Sequence, residues 1–309
     1  MPLHPQCAAI TAAAAQAGAP FNAGTALAVR LAYAAGTANF VYNPGPLARV
    51  EDLTLAGNIP ARLYQPTLDV PAGGFPALVF FHGGGWAAGD LETHDHLCRH
   101  LAFAGGFSVV AVDYRLAPEH PFPAALEDCL AATYALHQRA QEWGINPSRL
   151  AVGGDSAGGS LATLVCLALR DAGEHWLRAQ LLIYPAVDFA ADTESLRTNG
   201  QGYLLTTAAL EMFTNWYLPD RAARTDPRAS PLRAASHAGL PAAIIQTAEF
   251  DPLRDEGLAY AEALRAAGVA VDYHCYAGMI HGFARMGSRI DGGKQALEDA
   301  ASKLREWLS

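Results

Sequence analysis

Ala151-Val152-Gly153-Gly154-Asp155-Ser156-Ala157-Gly158-Gly159-Ser160 sets a Gly-x-Ser-x-Gly pattern between an apolar stretch, 149 to 153, and the helix-forming run Leu161 to Arg170. A strand, a sharp turn and a helix in that order form a nucleophile elbow, which holds its serine in a strained backbone conformation and lifts the hydroxyl clear of the sheet. Gly154 and Gly158 stand two residues either side of Ser156 because a side chain at either place would collide with the neighbouring strand and helix. Ser156 also falls at a helix N-terminus, where backbone N–H groups favour the negative charge that develops during acyl transfer. Taken alone, the stretch also reads as an ordinary glycine-rich turn with an incidental serine. The flanking chain removes that reading.

Working outward, short apolar runs alternate with helical segments from residue 76 onward: 77–81 (ALVFF), 107–112 (FSVVAV), 149–153, 179–184 (AQLLIY), 242–248 (AAIIQTA) and 271–276 (VDYHCY). This alternation predicts an α/β domain whose central sheet is mostly parallel and covered by helices on both faces. Ahead of it, Val50 to Leu55 and Ala61 to Tyr64, separated by Gly57-Asn58, predict an antiparallel hairpin, for about eight strands in all. Residues 1–45 predict two helices, one ending near Gly18 and one from Thr25 to Ala35 with Gly36 as its stop. The segment 186–240 is too long for a single crossover and carries its own helix, Thr207 to Tyr217, with Leu210, Phe213 and Tyr217 on one stripe. The expected organisation is therefore a core of 46–185 and 241–309, with 1–45 and 186–240 as two parts of a helical cap. The last strand is expected at a sheet edge, compatible with a monomer or a homodimer.

With 309 residues, 51% hydrophobic and 17% charged, the chain is long enough for one large domain with an accessory element. Net charge is −9 and the 21 basic residues form no run, which argues against nucleic acid and anionic membranes and favours an uncharged or cationic small substrate. The five cysteines are odd in number, widely spaced and free of any Cys-x-x-Cys pattern, so neither a disulfide framework nor a zinc site is expected. No basic residue precedes Arg30, so the alanine-rich start reads as a helix rather than a secretory signal. No run approaches the length and apolarity of a membrane span. The expected compartment is the cytoplasm.

A serine nucleophile needs a base, an acid to orient that base, and donors for the oxyanion, supplied by loops beyond the strand ends. Of eleven histidines, His281 alone follows the last strand ahead of a helix, and the scaffold runs in the order Ser, acid, His. Asp251, at the tip of the preceding strand, is the expected acid, and with Pro252 behind it also reads as a helix N-cap. Asp255 and Asp188 are its rivals, and Glu249 carries less weight. His82-Gly83-Gly84-Gly85-Trp86 follows the ALVFF strand, where bare glycine amides can approach a ligand closely; Gly83 and Gly84, with the N–H of Ala157, are the expected oxyanion donors. The run lacks a following Lys-Ser/Thr and is not Gly-x-Gly-x-x-Gly, so it does not read as a phosphate loop. His82 is expected to be a structural hydrogen-bonder. His94, Asp95, His96 and His100 lack a partner at metal-ligand spacing, so no metal is expected. Asp113 to Glu119 is expected to be structural, with buried charge pairing. Trp86, Leu205 and Phe213 are the expected pocket walls.

Together, HGGGW (82–86), DYRLAPEHPFPAA (113–125), GDSAGG (154–159), DPLRDEG (251–257) and HGF (281–283) resemble, in order and spacing, the bacterial hormone-sensitive-lipase-like or family IV carboxylesterases. The likeness covers about 75 to 285, and the GDSAG form of the elbow resembles one of the family's two subgroups. It implies an α/β-hydrolase fold, Asp251 as the acid, and a cap made of the N-terminal helices plus the insertion after the sixth strand. The implied activity is cofactor-independent hydrolysis of small esters with short to medium acyl groups through a Ser156-His281-Asp251 acyl-enzyme mechanism. Two alternatives stay open: an amidase or arylformamidase with the same triad, and a non-catalytic small-molecule receptor like the plant gibberellin receptors. The presence of His281 weighs against the receptor.

Overall fold

The computed structural model describes residues 2–17 and 24–309. It opens with α1 (Pro5–Ala17), α2 (Ala26–Ala38), β1 (Arg49–Leu55), β2 (Ile59–Gln65), β3 (Phe75–Phe81), α3 (Asp95–Gly105), β4 (Ser108–Val112) and α4 (Ala124–Arg139). Then follow β5 (Ile145–Asp155), α5 (Ala157–Asp171), β6 (Leu177–Ile183), α6 (Glu194–Thr198), α7 (Thr207–Tyr217), β7 (Ala242–Phe250), α8 (Arg254–Ala266), β8 (Val271–Ile280) and α9 (Asp291–Trp307). Among the described residues the strands form one eight-stranded sheet, ordered β1-β2-β4-β3-β5-β6-β7-β8. β2 pairs antiparallel with both β1 and β4; every other neighbouring pair is parallel. β8 is an edge.

The inner strands are apolar runs because both of their faces are covered, and the twofold alternation of a strand sends successive residues to opposite cores. Val79 and Phe81 of β3 and Val152 of β5 join one core with Cys129 and Leu136 of α4, Leu161 and Val165 of α5, and Tyr260 of α8. Leu78, Phe80 and Ala151 face the other, filled by Leu97 and Leu101 of α3 and Leu297 and Leu304 of α9. The β1–β2 hairpin closes through Ala56 and Gly57, both at positive φ (47° and 85°), the backbone that matches the right-handed twist of the strands it joins.

Several boundaries differ from the sequence reading, and three of the differences have a clear local reason. α2 runs through Gly36 to Ala38, capped at Asn39, whose N–H reaches Gly36 and Thr37 carbonyls; Gly36 keeps a helical backbone and stops nothing. β5 begins at Ile145, where Phe75 pairs with it before a register shift, so the strand leading to the elbow is longer than 149–153. α8 begins at Arg254 with Leu253 as its N-cap residue, so Asp251 is not the cap; its Oδ1 accepts from the Leu253 N–H (2.8 Å) one step earlier. Gly18, the expected end of the first helix, lies outside the described residues, whereas α7 has the expected bounds, 207 to 217.

Candidate active site

Ser156 sits between β5 and α5 at φ 54°, ψ −117°, a conformation costing a non-glycine residue about 1–3 kcal/mol. The packing around the turn explains its glycines. A Cβ on Gly158 would lie 1.9 Å from the Phe81 carbonyl oxygen, and one on Gly154 would lie 2.4 Å from the same atom. β3 and the start of α5 therefore meet backbone to backbone, which fixes the serine at the C-terminal end of the sheet.

β8 ends at Ile280 and delivers His281 directly, while Asp251 follows β7 immediately. The imidazole bridges the other two side chains: Nε2 is 2.9 Å from Ser156 Oγ, and Nδ1 is 2.7 Å from Asp251 Oδ2. Asp251 is fully buried; its Oδ1 takes the Leu253 N–H, and Asn199 Nδ2 donates to its carbonyl oxygen at 3.3 Å. The rival carboxylates are engaged elsewhere. Asp255 accepts from the Ser195 N–H and pairs with Arg254, Asp188 pairs with Arg233, and Glu249 accepts from the Gly278 N–H.

The glycine run after β3 departs from the expectation in its register. The Gly83 N–H donates 2.8 Å to Asp155 Oδ1, and a Cβ there would strike the same carboxylate at 2.6 Å. Gly83 is thus not an available oxyanion donor: its amide is consumed in holding the loop against the elbow. Gly84 (φ 123°) and Gly85 (φ 61°) turn the chain over the serine, and both line the cavity with it. Among the described residues no acceptor meets the N–H of Gly84, Gly85 or Ala157. The three free amides are therefore those of 84, 85 and 157.

A buried polar layer supports this loop. Asp155 is 2% exposed; burial pushes its carboxyl up, but His94 (Nε2 at 3.2 Å), Arg285 and the Gly83 amide hold it at about 2. His82 stacks on Tyr114 (ring centroids 4.2 Å apart), places Nδ1 2.9 Å from the Gly83 carbonyl, and is pushed down to about 4 by burial and by His94. It is the structural hydrogen-bonder expected. His96 donates to the Arg285 carbonyl at 2.8 Å, and His100 contacts the Tyr42 hydroxyl at 2.5 Å; among the described residues no cluster of three or more His, Cys, Asp or Glu could hold a metal. The ion pairs of the 113–119 stretch lie nearer the surface than expected: Arg115 to Asp128 (2.7 Å) with the arginine 45% exposed, and Glu119 to Arg30.

The cavity over Ser156 encloses about 80 Å³ and is walled mostly by apolar side chains. All three expected walls reach it: Trp86, stacked on Tyr217 at 4.8 Å, Leu205, and Phe213, whose ring lies where a Gly85 side chain would be. Tyr33 of α2, Leu210 of α7 and Arg285 also line it, and sequence reasoning did not find them. Through Trp86, Ala186, Leu210 and Leu253 the cavity adjoins a second cleft of about 350 Å³. Asp155 and Gly85 were missed too, though both lie inside motifs already recognised. No described helix is long and apolar enough to cross a membrane.

Known proteins resemble this chain. A family profile described as the alpha/beta hydrolase fold matches residues 78–285. The carboxylic ester hydrolase LipN of Mycobacterium tuberculosis is 47% identical over 277 residues, covering 86% of this chain and 73% of that one. An ethyl acetate hydrolase of Pseudomonas putida is 42% identical over 84% of this chain and 83% of its own. Among solved structures, the ester hydrolase EH1AB1 from the metagenome of Lake Arreo superimposes with a TM-score of 0.93 at 40% identity, over 98% of both chains. On the extent of the profile match and these identities, the chain belongs to the α/β-hydrolase family, in its hormone-sensitive-lipase-like branch.

Proposed function

We propose that this protein hydrolyses carboxylic esters of small molecules through an acyl-enzyme formed on Ser156, with His281 as general base and Asp251 holding the imidazole. The observation that carries the proposal is the pair of contacts at His281, 2.9 Å to Ser156 Oγ and 2.7 Å to Asp251 Oδ2. Asp251, accepting from Nδ1–H, keeps Nε2 unprotonated and aimed at the hydroxyl. As Ser156 Oγ attacks the ester carbonyl, Nε2 takes its proton, and the negative charge on the carbonyl oxygen is met by the amides of Gly84, Gly85 and Ala157. Collapse of the tetrahedral adduct expels the alcohol, which receives the proton from Nε2. A water molecule, deprotonated by the same nitrogen, then releases the acid and restores the serine.

The role of Gly85 replaces that first given to Gly83, because an amide already bonded to a carboxylate has no proton to offer an oxyanion. The described parts of 1–45, together with 186–240, act as the cap over the cavity, supported by Tyr33, Leu205 and Phe213 reaching it from those segments. The small volume favours short acyl groups, with the adjoining cleft available to somewhat longer ones. All five cysteines are free thiols, which supports a reducing compartment such as the cytoplasm. A series of p-nitrophenyl esters from acetate to decanoate tests the proposal. Wild type turns over the short members, and Ser156→Ala, folded by circular dichroism, turns over none; appreciable residual turnover in that variant would reject Ser156 as nucleophile.

A further inference from the structure

We infer that Arg285 is a substrate-recognition residue, and that the ester cleaved at Ser156 carries a second hydrogen-bond-accepting group, a carboxylate above all, that docks on its guanidinium. The inference rests on the ester-hydrolase reading and narrows its substrate class.

Arg285 lies four residues beyond His281, in the short 3-10 turn Phe283–Arg285, and its backbone is held there by His96 donating to its carbonyl at 2.8 Å. The residue is 8% exposed and lines the same cavity as Ser156 and His281. Its guanidinium lies over the Tyr33 ring, 4.3 Å from the centroid, and Nη1 donates to the Tyr33 hydroxyl. Among the described residues that is its one side-chain hydrogen bond, and no carboxylate lies within 4.0 Å of it. A guanidinium has five N–H donors, so four are left over. Nε and Nη2 make no hydrogen bond among the described residues, and the residue that carries them lines the cavity.

A cation this deeply placed is normally paired, since desolvation of an unpaired charge is costly. Neither neighbour supplies the pairing. Burial pushes the Tyr33 phenol above its ordinary range, so it remains neutral. Asp155 compensates only through space, its Oδ1 being occupied by the Gly83 amide and facing His94. The unused fork is the donor geometry that a carboxylate accepts with two oxygens at once. The chain's net charge of −9 slows the long-range approach of an anion, but it does not alter what the fork binds once the ligand has entered.

The test compares kcat/KM for two pairs of near-isosteric esters by pH-stat: ethyl butyrate against monoethyl succinate for an acceptor on the acyl side, and ethyl acetate against acetylglycolate for one on the alcohol side. The expected result is that in at least one pair Arg285→Met lowers the ratio of anionic to neutral ester by about tenfold or more, mainly through KM, while Arg285→Lys keeps part of it. If Arg285 serves only to balance the charge of Asp155, both members of each pair fall together and the ratios stay within about twofold, which overturns the inference. Should Arg285→Met fail to fold, wild type decides: succinate, with one carboxylate for the oxyanion amides and a second for the guanidinium, is expected to inhibit ethyl acetate hydrolysis competitively and more strongly than butyrate, and equal inhibition overturns it. If wild type hydrolyses none of the four esters, the ester-hydrolase reading fails. If it hydrolyses the neutral ones with no dependence of the ratios on Arg285, that reading stands and this one falls.

Discussion

Replacing Asp251 with asparagine sets two hydrogen bonds against each other. The carboxylate now accepts on both oxygens, from the Leu253 N–H at Oδ1 (2.8 Å) and from His281 Nδ1 at Oδ2 (2.7 Å), in a site with no exposure to solvent. An amide has one acceptor and one donor end. If its oxygen stays on Leu253, its NH₂ faces Nδ1, the imidazole proton moves to Nε2, and Ser156 meets a donor where it needs a base. If the amide turns over, the tautomer is right but two N–H groups confront each other beside Leu253, leaving a buried donor unsatisfied at about 1–3 kcal/mol. A gap of about 2 kcal/mol leaves only about 3% of molecules in the productive orientation. These molecules also lack the negative charge that stabilises the imidazolium. The equivalent exchange in a serine protease triad lowers kcat by about 10⁴, or about 5.4 kcal/mol of barrier; a fall of about 10³ to 10⁴ is expected here, with KM little changed. Steady-state hydrolysis of p-nitrophenyl acetate measures it, with Asp251→Glu alongside as a variant that keeps the charge. A kcat for Asp251→Asn within tenfold of wild type would refute the assignment of Asp251 as the orienting acid.

Phe213→Ala opens the wall that rests against Gly85, so the preferred acyl chain lengthens and kcat/KM for the shortest esters falls; an unchanged chain-length profile would remove Phe213 from the acyl channel. Stability should weaken in acid before most carboxylates titrate. His82, His96 and His100 are each held near about 4, chiefly by burial, against about 6.5 in the unfolded chain. Because the folded values are the lower ones, the neutral rings stabilise the fold fully above pH 6.5, and that contribution is lost as pH falls from there toward 4. Urea midpoints at pH 7, 6 and 5 should decline in step, and a flat series would mean that these rings are not desolvated in solution.

The sheet was legible because its inner strands are covered on both faces and so appear as unbroken apolar runs, and β3, β4, β6 and β7 emerge close to their read limits. That Ser156, His281 and Asp251 would come together was legible because each sits at a strand end within a motif. The register of the glycine run was not. Which of three consecutive glycines turns its amide to the serine depends on where Asp155 anchors the loop, a contact between residues 72 positions apart. Arg285 and Tyr33 escaped for the same reason, since their contact spans 252 positions and neither residue belongs to a periodic pattern. Gly36 misled because glycine ends a helix only when its backbone turns left-handed, and here the helical bonds continue past it.

Covalent trapping at the elbow tests the central claim most directly. Incubation with diethyl p-nitrophenyl phosphate followed by intact-mass and peptide mass spectrometry should give one diethylphosphoryl group per chain, on the peptide carrying Ser156, with loss of esterase activity in proportion to labelling. Full inactivation with the label on another residue, or continued turnover by a chain fully labelled at Ser156, would contradict the account.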